Sequence, residues 1–290
     1  MNILVTGSNG QLGSEIKDVA ASYKSFRFFF MDLPALDICN SSQLGIFIAK
    51  NKIDTVINCA AYTAVDAAEE NAVIAEQVNA IGALNLANAI EKVKGKLIHI
   101  STDYVFDGGS FLPYQESDEV NPIGVYGKTK RNGELAVING DIDGIVIRTS
   151  WLYSAYGNNF VKTMLRLGNE RDELGVVFDQ VGTPTNASDL AETCLEILSS
   201  KTSDRICSKG KIYHFSNEGV ASWYDFAFAI MKLGELNCKV KPIETKDYLT
   251  LAKRPHFSVL NKTKIKSDFT IEIPNWKDSL VKCISKLNKK

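Results

Sequence analysis

Asn2-Ile3-Leu4-Val5-Thr6-Gly7-Ser8-Asn9-Gly10-Gln11-Leu12-Gly13 opens this 290-residue chain. Residues 2–6 form a short apolar run that starts at once, the pattern of a buried strand. Three glycines follow at a spacing of three, and a helical pattern begins at Ser14. Strand, glycine turn and helix in that order place backbone N–H groups at a helix N-terminus, where a pyrophosphate is favoured. Gly7 and Gly10 allow a tight turn and close backbone approach to phosphate, while Gly13 permits close helix–strand packing. The spacing is Gly-x-x-Gly-x-x-Gly rather than Gly-x-Gly-x-x-Gly, so a glycine turn without a ligand is the competing reading.

Outward from that stretch, residues 26–31 read as a second strand ending in Asp32, nineteen residues beyond Gly13. A carboxylate there accepts hydrogen bonds from an adenosine ribose and repels a 2′-phosphate, favouring NADH over NADPH. A plain loop carboxylate is the alternative. Asp37 and Ile38 are placed to flank the adenine. Further apolar strands are expected at 55–60, 96–100 and 144–148, with helical patterns at 41–51, 70–93 and 125–139 between them. Buried strands alternating with helices predict an α/β, Rossmann-type doubly wound parallel sheet with right-handed crossovers. Residues 1–150 are assigned to this dinucleotide-binding domain, with 176–200 returning to it. Residues 151–175 and 201–290 mainly form a smaller α/β substrate domain.

The charge balance excludes other classes. A formal net charge of -1 gives no electrostatic case for nucleic acid or membrane partners. Cys39, Cys59, Cys194, Cys207, Cys238 and Cys283 include no Cys-x-x-Cys pair, so neither a metal cluster nor a disulfide framework is indicated. No signal peptide precedes the first strand and no apolar run approaches membrane-span length, which makes a reducing cytoplasm the expected compartment.

Ligands of such sheets bind beyond the carboxyl ends of the strands, and there the polar groups gather. Ser101-Thr102 closes the fourth strand. Tyr126 and Lys130 stand four apart, on one face if their segment is helical. A free phenol has a pKa near roughly 10, and a neighbouring ammonium lowers it. Thr102 can donate a hydrogen bond to a substrate carbonyl, Tyr126 can protonate the same oxygen, and Lys130 can tune the phenol and bind the nicotinamide ribose. Singly, Thr102 also reads as a turn cap and Lys130 as a surface charge. Together they describe a reductase.

Seven segments carry a family resemblance: the glycine loop, Cys59-Ala60-Ala61-Tyr62-Thr63-Ala64-Val65-Asp66, Ser101-Thr102-Asp103-Tyr104-Val105-Phe106, Val125-Tyr126-Gly127-Lys128-Thr129-Lys130 and Arg148-Thr149-Ser150-Trp151-Leu152-Tyr153, with Gly157-Asn158-Asn159-Phe160 and Asp179-Gln180-Val181-Gly182-Thr183-Pro184-Thr185 in the second half. Through them the chain resembles the extended short-chain dehydrogenases/reductases, over nearly its whole length. The third and fifth are similar to the branch acting on nucleotide-sugar ketones. That resemblance implies NADH- or NADPH-dependent reduction of the 4-keto group of a dTDP-6-deoxy sugar, giving dTDP-L-rhamnose. It implies that Gly10, Gln11 and Leu12 hold the pyrophosphate within the loop that includes Gly7, Asn9 and Gly13. Asp32, Asp37 and Ile38 would surround the adenosine, and Ala60, Ala61, Tyr62 and Thr63 would line the nicotinamide side. Tyr62 stands where the family often has His, at a contact made largely by backbone. Thr102 and Asp103 would contact the sugar, Tyr126 would donate the proton, and Trp151 would pack on the substrate. The resemblance also implies a homodimer and links the family to magnesium at a dimer contact, for which the sequence shows no acidic cluster.

Several residues stay open. Arg254 either meets a diphosphate or forms a rim salt bridge. Asn79 either helps fix Lys130 through water or bonds its own helix. His99 reads as a core histidine, Trp223 as packing, and Glu69 and Glu70 as a solvated face. Against the enzyme stands a non-catalytic cofactor-binding protein similar to the regulatory subunit of methionine adenosyltransferase, or a reductase of another nucleotide sugar.

Overall fold

The computed structural model describes residues 1–200 and 210–289; residues 201–209, part of the expected substrate domain, and Lys290 lie outside them. Strands β1 (Asn2–Thr6), β2 (Arg27–Met31), β3 (Thr55–Asn58), β4 (Lys96–Thr102), β5 (Asp143–Thr149) and β6 (Lys211–His214) form one sheet. Their order is β6-β5-β4-β3-β1-β2, and every pair is parallel.

Side chains alternate between the two faces of a strand, and here both faces are buried. Ile3, Val5, Ile57, Ile98, Ile145 and Ile147 pack in one layer with helices Gln11–Val19, Ala187–Ser199 and Thr263–Phe269. Leu4, Val56, Leu97 and Val146 pack on the other side with Ser41–Lys50, Gly82–Glu91 and Val125–Ile138. A sheet covered on both faces needs near-continuous apolar strands, which is why these segments are readable as strands.

A second core joins Tyr153, Val161, Phe226, Ile230, Trp276 and Leu280. It is built from helices Phe160–Glu170, Trp223–Leu233 and Trp276–Leu287 and the parallel pair Glu173–Val177 and Lys239–Ile243. The chain crosses between the two cores more often than expected. Val176 and Val177 pair with the second core's strand, whereas β6 and helix Thr263–Phe269 belong to the main sheet. The helix expected over 70–93 is broken. It begins as Val65–Glu70, restarts at Ala72, and passes through a π-helical turn at Gln77–Ile81 before Gly82–Glu91. Such turns are frequently found at functional sites.

Candidate active site

The strand order reverses between β2-β1 and β3-β4, and β1 and β3 lead into the floor of a cleft of about 750 Å³. That is where the crevice of a doubly wound sheet opens. Gly7 has φ +61°, and a Cβ there would lie 2.6 Å from Ala60 N, so the loop after β1 and the loop after β3 touch backbone to backbone. A Cβ on Gly13 would lie 2.5 Å from Gly7 O. Gly13 therefore serves the close approach of helix to strand and does not line the cleft.

Gly7, Gly10, Gln11, Leu12, Asp32, Asp37, Ile38, Ala60, Ala61, Tyr62 and Thr63 all line it. Asn9 does not. Its backbone N–H donates to Asp32 Oδ2 at 2.9 Å, while Leu33 N–H donates to Oδ1 at 2.8 Å, so the Asp32 carboxylate also holds the glycine loop in shape. Thr102, Asp103, Tyr126, Lys130 and Trp151 line the cleft too, joined by Tyr104, Asn158 and Asn159.

The catalytic candidates converge, with electrostatics that differ from the expectation. Burial pushes the Tyr126 phenol up to about 12, and the Thr102 hydroxyl pulls against that rise. The expected lowering of Tyr126 by Lys130 is corrected: the ammonium is directed at Ile100 O, to which Nζ donates at 2.6 Å. Burial lowers Lys130 to about 8, against the opposing pull of Glu134 and Cys59. Tyr126 is thus a neutral donor at physiological pH.

Asn79 bonds away from its own helix. Its Oδ1 accepts from Tyr62 N at 2.8 Å, and its Nδ2 donates to Tyr62 O at 3.1 Å and to Thr129 Oγ1 at 3.0 Å. The π-helical turn brings this amide to the cofactor-side loop and to the residue before Lys130. His99 is a core residue: Asn58 Nδ2 lies 3.0 Å from its Nδ1, and burial, reinforced by Lys130, keeps it neutral. Nε2 has no partner among the described residues.

Arg254 is absent from the cleft lining. Its Nη2 donates to Asp66 Oδ2 at 2.6 Å, and Asp66 also takes the backbone N–H of Ala252. The rim salt bridge is the geometry present. Trp223 is packing of a consequential kind: it stacks on Trp151 with centroids 3.6 Å apart and planes at 10°. Trp151 has φ +49°, a strained backbone for a tryptophan, as occurs where a site over-determines a residue.

Sequence reading missed three supports. Glu69 is not a free solvated side chain: Oε1 accepts from Val125 N at 2.8 Å and caps helix Val125–Ile138, whose N-cap is Gly124. Glu134, fully buried, accepts from Ser101 Oγ at 2.7 Å and bidentately from Arg148 Nε and Nη2 at 2.7 and 2.8 Å. The Tyr104 ring meets Tyr126 edge-on at 5.5 Å. A signal was available for Glu134, which lies four residues beyond Lys130 on the same helical face. Among the described residues no group of three or more His, Cys, Asp or Glu side chains is placed to hold a metal ion.

A parallel sheet with a glycine-lined crevice and a Thr/Tyr/Lys cluster at the strand ends defines the class of nucleotide-cofactor oxidoreductases of the short-chain type. Within it, the chain belongs to the family described as RmlD substrate binding domain, which matches residues 1–289. It is 42% identical over 284 residues to a dTDP-4-dehydrorhamnose reductase of Aggregatibacter actinomycetemcomitans, covering 96% of each chain. A crystal structure of a dTDP-4-dehydrorhamnose reductase from Clostridium acetobutylicum superposes with a TM-score of 0.93 at 44% identity, covering 99% of this chain and 100% of that one. Another, from Bacillus anthracis in complex with NADP, gives 0.92 at 37% identity, covering 98% and 99%.

Proposed function

We propose that this protein reduces the C4 ketone of dTDP-4-dehydro-L-rhamnose to the alcohol, giving dTDP-L-rhamnose, with NADPH or NADH as reductant. The observation that carries the proposal is the meeting, in one cleft, of the glycine loop at Gly7–Leu12 with Thr102, Tyr126 and Lys130.

The residues present fit a nicotinamide dinucleotide. Gly7 and Gly10 leave a backbone cradle without side chains, next to the N-terminus of helix Gln11–Val19, where phosphate is favoured. When bound, the reduced nicotinamide supplies the hydride that the ketone carbon accepts. The chain's own residues do the rest. Tyr126 gives its phenolic proton to the ketone oxygen, and Thr102 orients that oxygen with a hydrogen bond. Lys130 offers a buried cation to the phenolate left behind and to the ribose. Trp151 lays an aromatic face against the sugar nucleotide. Asp32, Asp37 and Ile38 flank the adenosine, and Ala60 to Thr63 face the nicotinamide. We further assign Arg254 to the diphosphate side, reached by exchange of Asp66 for the ligand.

A homodimer in the cytoplasm is the state we infer from the family. Among the described residues no helix is long and apolar enough to cross a membrane. The intact Thr102, Tyr126 and Lys130 favour the enzyme over a regulatory subunit.

The test is incubation with dTDP-4-dehydro-L-rhamnose and each reduced cofactor, with the product identified by mass and stereochemistry. Tyr126→Phe should lose turnover by about 10²-fold or more while binding cofactor nearly as the parent does. A Phe variant that turns over like the parent shows that the acid is misassigned. A parent that binds cofactor and oxidises it with no keto-sugar shows a regulatory protein.

A further inference from the structure

Asp103 follows Thr102 directly and is 2% exposed. The Thr102 hydroxyl donates to Asp103 Oδ1 at 2.9 Å and accepts from Tyr104 N at 3.2 Å. A hydroxyl has one proton to donate and two lone pairs. With the proton committed to Asp103, Thr102 has none left for a ketone oxygen. Its one remaining lone pair faces that oxygen unfavourably and competes with it for the Tyr126 proton.

We propose that Asp103 is a positioning residue that sets the direction of the Thr102 hydroxyl: as a carboxylate it draws the hydroxyl proton to itself, and as an acid it releases that proton toward the substrate's carbonyl oxygen. The protonated acid donates to Thr102 Oγ1, which then accepts two hydrogen bonds, from Asp103 and from Tyr104 N, and donates one. All three sites of the hydroxyl are used, and the ketone oxygen has two donors, Thr102 and Tyr126. No bond to carbon changes in this switch; one proton moves on or off Asp103.

The surroundings allow the switch. Asp103 Oδ2 makes no hydrogen bond among the described residues, and Oδ1 is the oxygen that faces Thr102 Oγ1, so the proton that reverses the bond to Thr102 sits on Oδ1. Burial raises the carboxyl to about 6, although the Thr102 and Ser258 hydroxyls and the backbone of Tyr104 hold it down. The titratable groups facing it are Tyr104, from its own turn, and Tyr126, from the catalytic helix, both pushed up by burial and neutral in this range. Ser258 approaches from the C-terminal segment, and Arg254 and Asp66 lie beyond Tyr104. Lys130 titrates higher, at about 8, so the two transitions separate.

This inference rests on the proposed reductase reaction. It is tested by single-turnover oxidation of NADPH with dTDP-4-dehydro-L-rhamnose between pH 5 and 8. In the parent the rate should hold an acid plateau and fall as pH rises through the Asp103 transition, by as much as about tenfold per unit where only the acid form is productive. Asp103→Asn, whose amide donates at any pH, should flatten that limb and leave the higher one. As a second arm that does not depend on the Asn variant folding, Thr102→Ser should keep the limb and Thr102→Ala should lose it in whatever turnover remains. A limb that persists in Asp103→Asn or Thr102→Ala, or a parent rate level across the range, overturns the inference while the reductase stands. A parent inert at every pH overturns the reductase reaction and this inference with it.

Discussion

The ammonium of Lys130 donates to the carbonyl oxygen of Ile100 at 2.6 Å, so the cation proposed to act beside Tyr126 is held by the strand end that carries Thr102. It is buried, and burial has brought its pKa from 10.5 to about 8. A lysine whose folded pKa is depressed opposes folding wherever it is charged in the native state. That penalty is fully present below about 8 and is relieved as pH rises from there toward the unfolded value. Lys130→Met should therefore raise the urea midpoint at pH 7, by stability on the order of 2–3 kcal/mol, while abolishing turnover. The gain should shrink between pH 8 and 10. A Met variant less stable than the parent at pH 7 would show that the Ile100 bond outweighs the burial of charge.

The bond from Val125 N to Glu69 Oε1 places the cap of the catalytic helix on a different element, one residue before Tyr126. Losing a helix cap costs about 1 kcal/mol. Because the frayed turn would carry Tyr126, Glu69→Ala should lower kcat by about tenfold with KM for cofactor little changed. Glu69→Gln keeps the acceptor and should restore most of kcat. Equal losses in both variants would point to the charge rather than the bond.

These two residues also show where the sequence is legible and where it is not. Tyr126 and Lys130 are readable because their spacing has meaning on a helix and because apolar strands announce the sheet that presents them. The strands themselves follow from the same runs, since a parallel sheet buried on both faces leaves little polar interruption. Glu69 is not readable: its partner is a backbone N–H 56 residues away, and nothing in a local pattern separates a capping glutamate from a solvated one. Asn79 fails for a related reason. Its π-helical turn shifts the facing of the helix, so 3.6-residue spacing does not show that it meets Tyr62 and Thr129. The return of Lys211–His214 to the main sheet is a long-range pairing with Asp143–Thr149 that composition does not encode.

Glu134 joins that helix to β4 and β5 through Ser101 and Arg148. Burial works against its charge, but Arg148, Ser101 and Arg131 hold the carboxyl below its ordinary value. A depressed carboxylate contributes stability above the unfolded pKa and loses it as pH falls through the folded one. Glu134→Ala leaves the Arg148 guanidinium buried without its counter-charge, which should cost about 3–5 kcal/mol. Urea denaturation at pH 7 checks the size, and the deficit should narrow toward pH 3. A loss under about 1 kcal/mol would mean that water reaches Arg148 in the variant.

Trp223 does not line the cleft, but its ring covers the back of Trp151 at 3.6 Å. In the proposed reaction the front of Trp151 is the surface offered to the sugar nucleotide, and its left-handed backbone depends on surrounding packing. An aromatic pair contributes about 1 kcal/mol beyond area. Removing the stack with Trp223→Ala should free the Trp151 ring and raise KM for the nucleotide sugar about fivefold. Cofactor affinity should stay near the parent's, because Trp223 does not line the cleft. Trp151→Ala should raise KM further, and the double variant should add little, since Trp223 acts through Trp151. Additive effects in that cycle would show that Trp223 supports the second core independently, and that the stack is not what positions the substrate face.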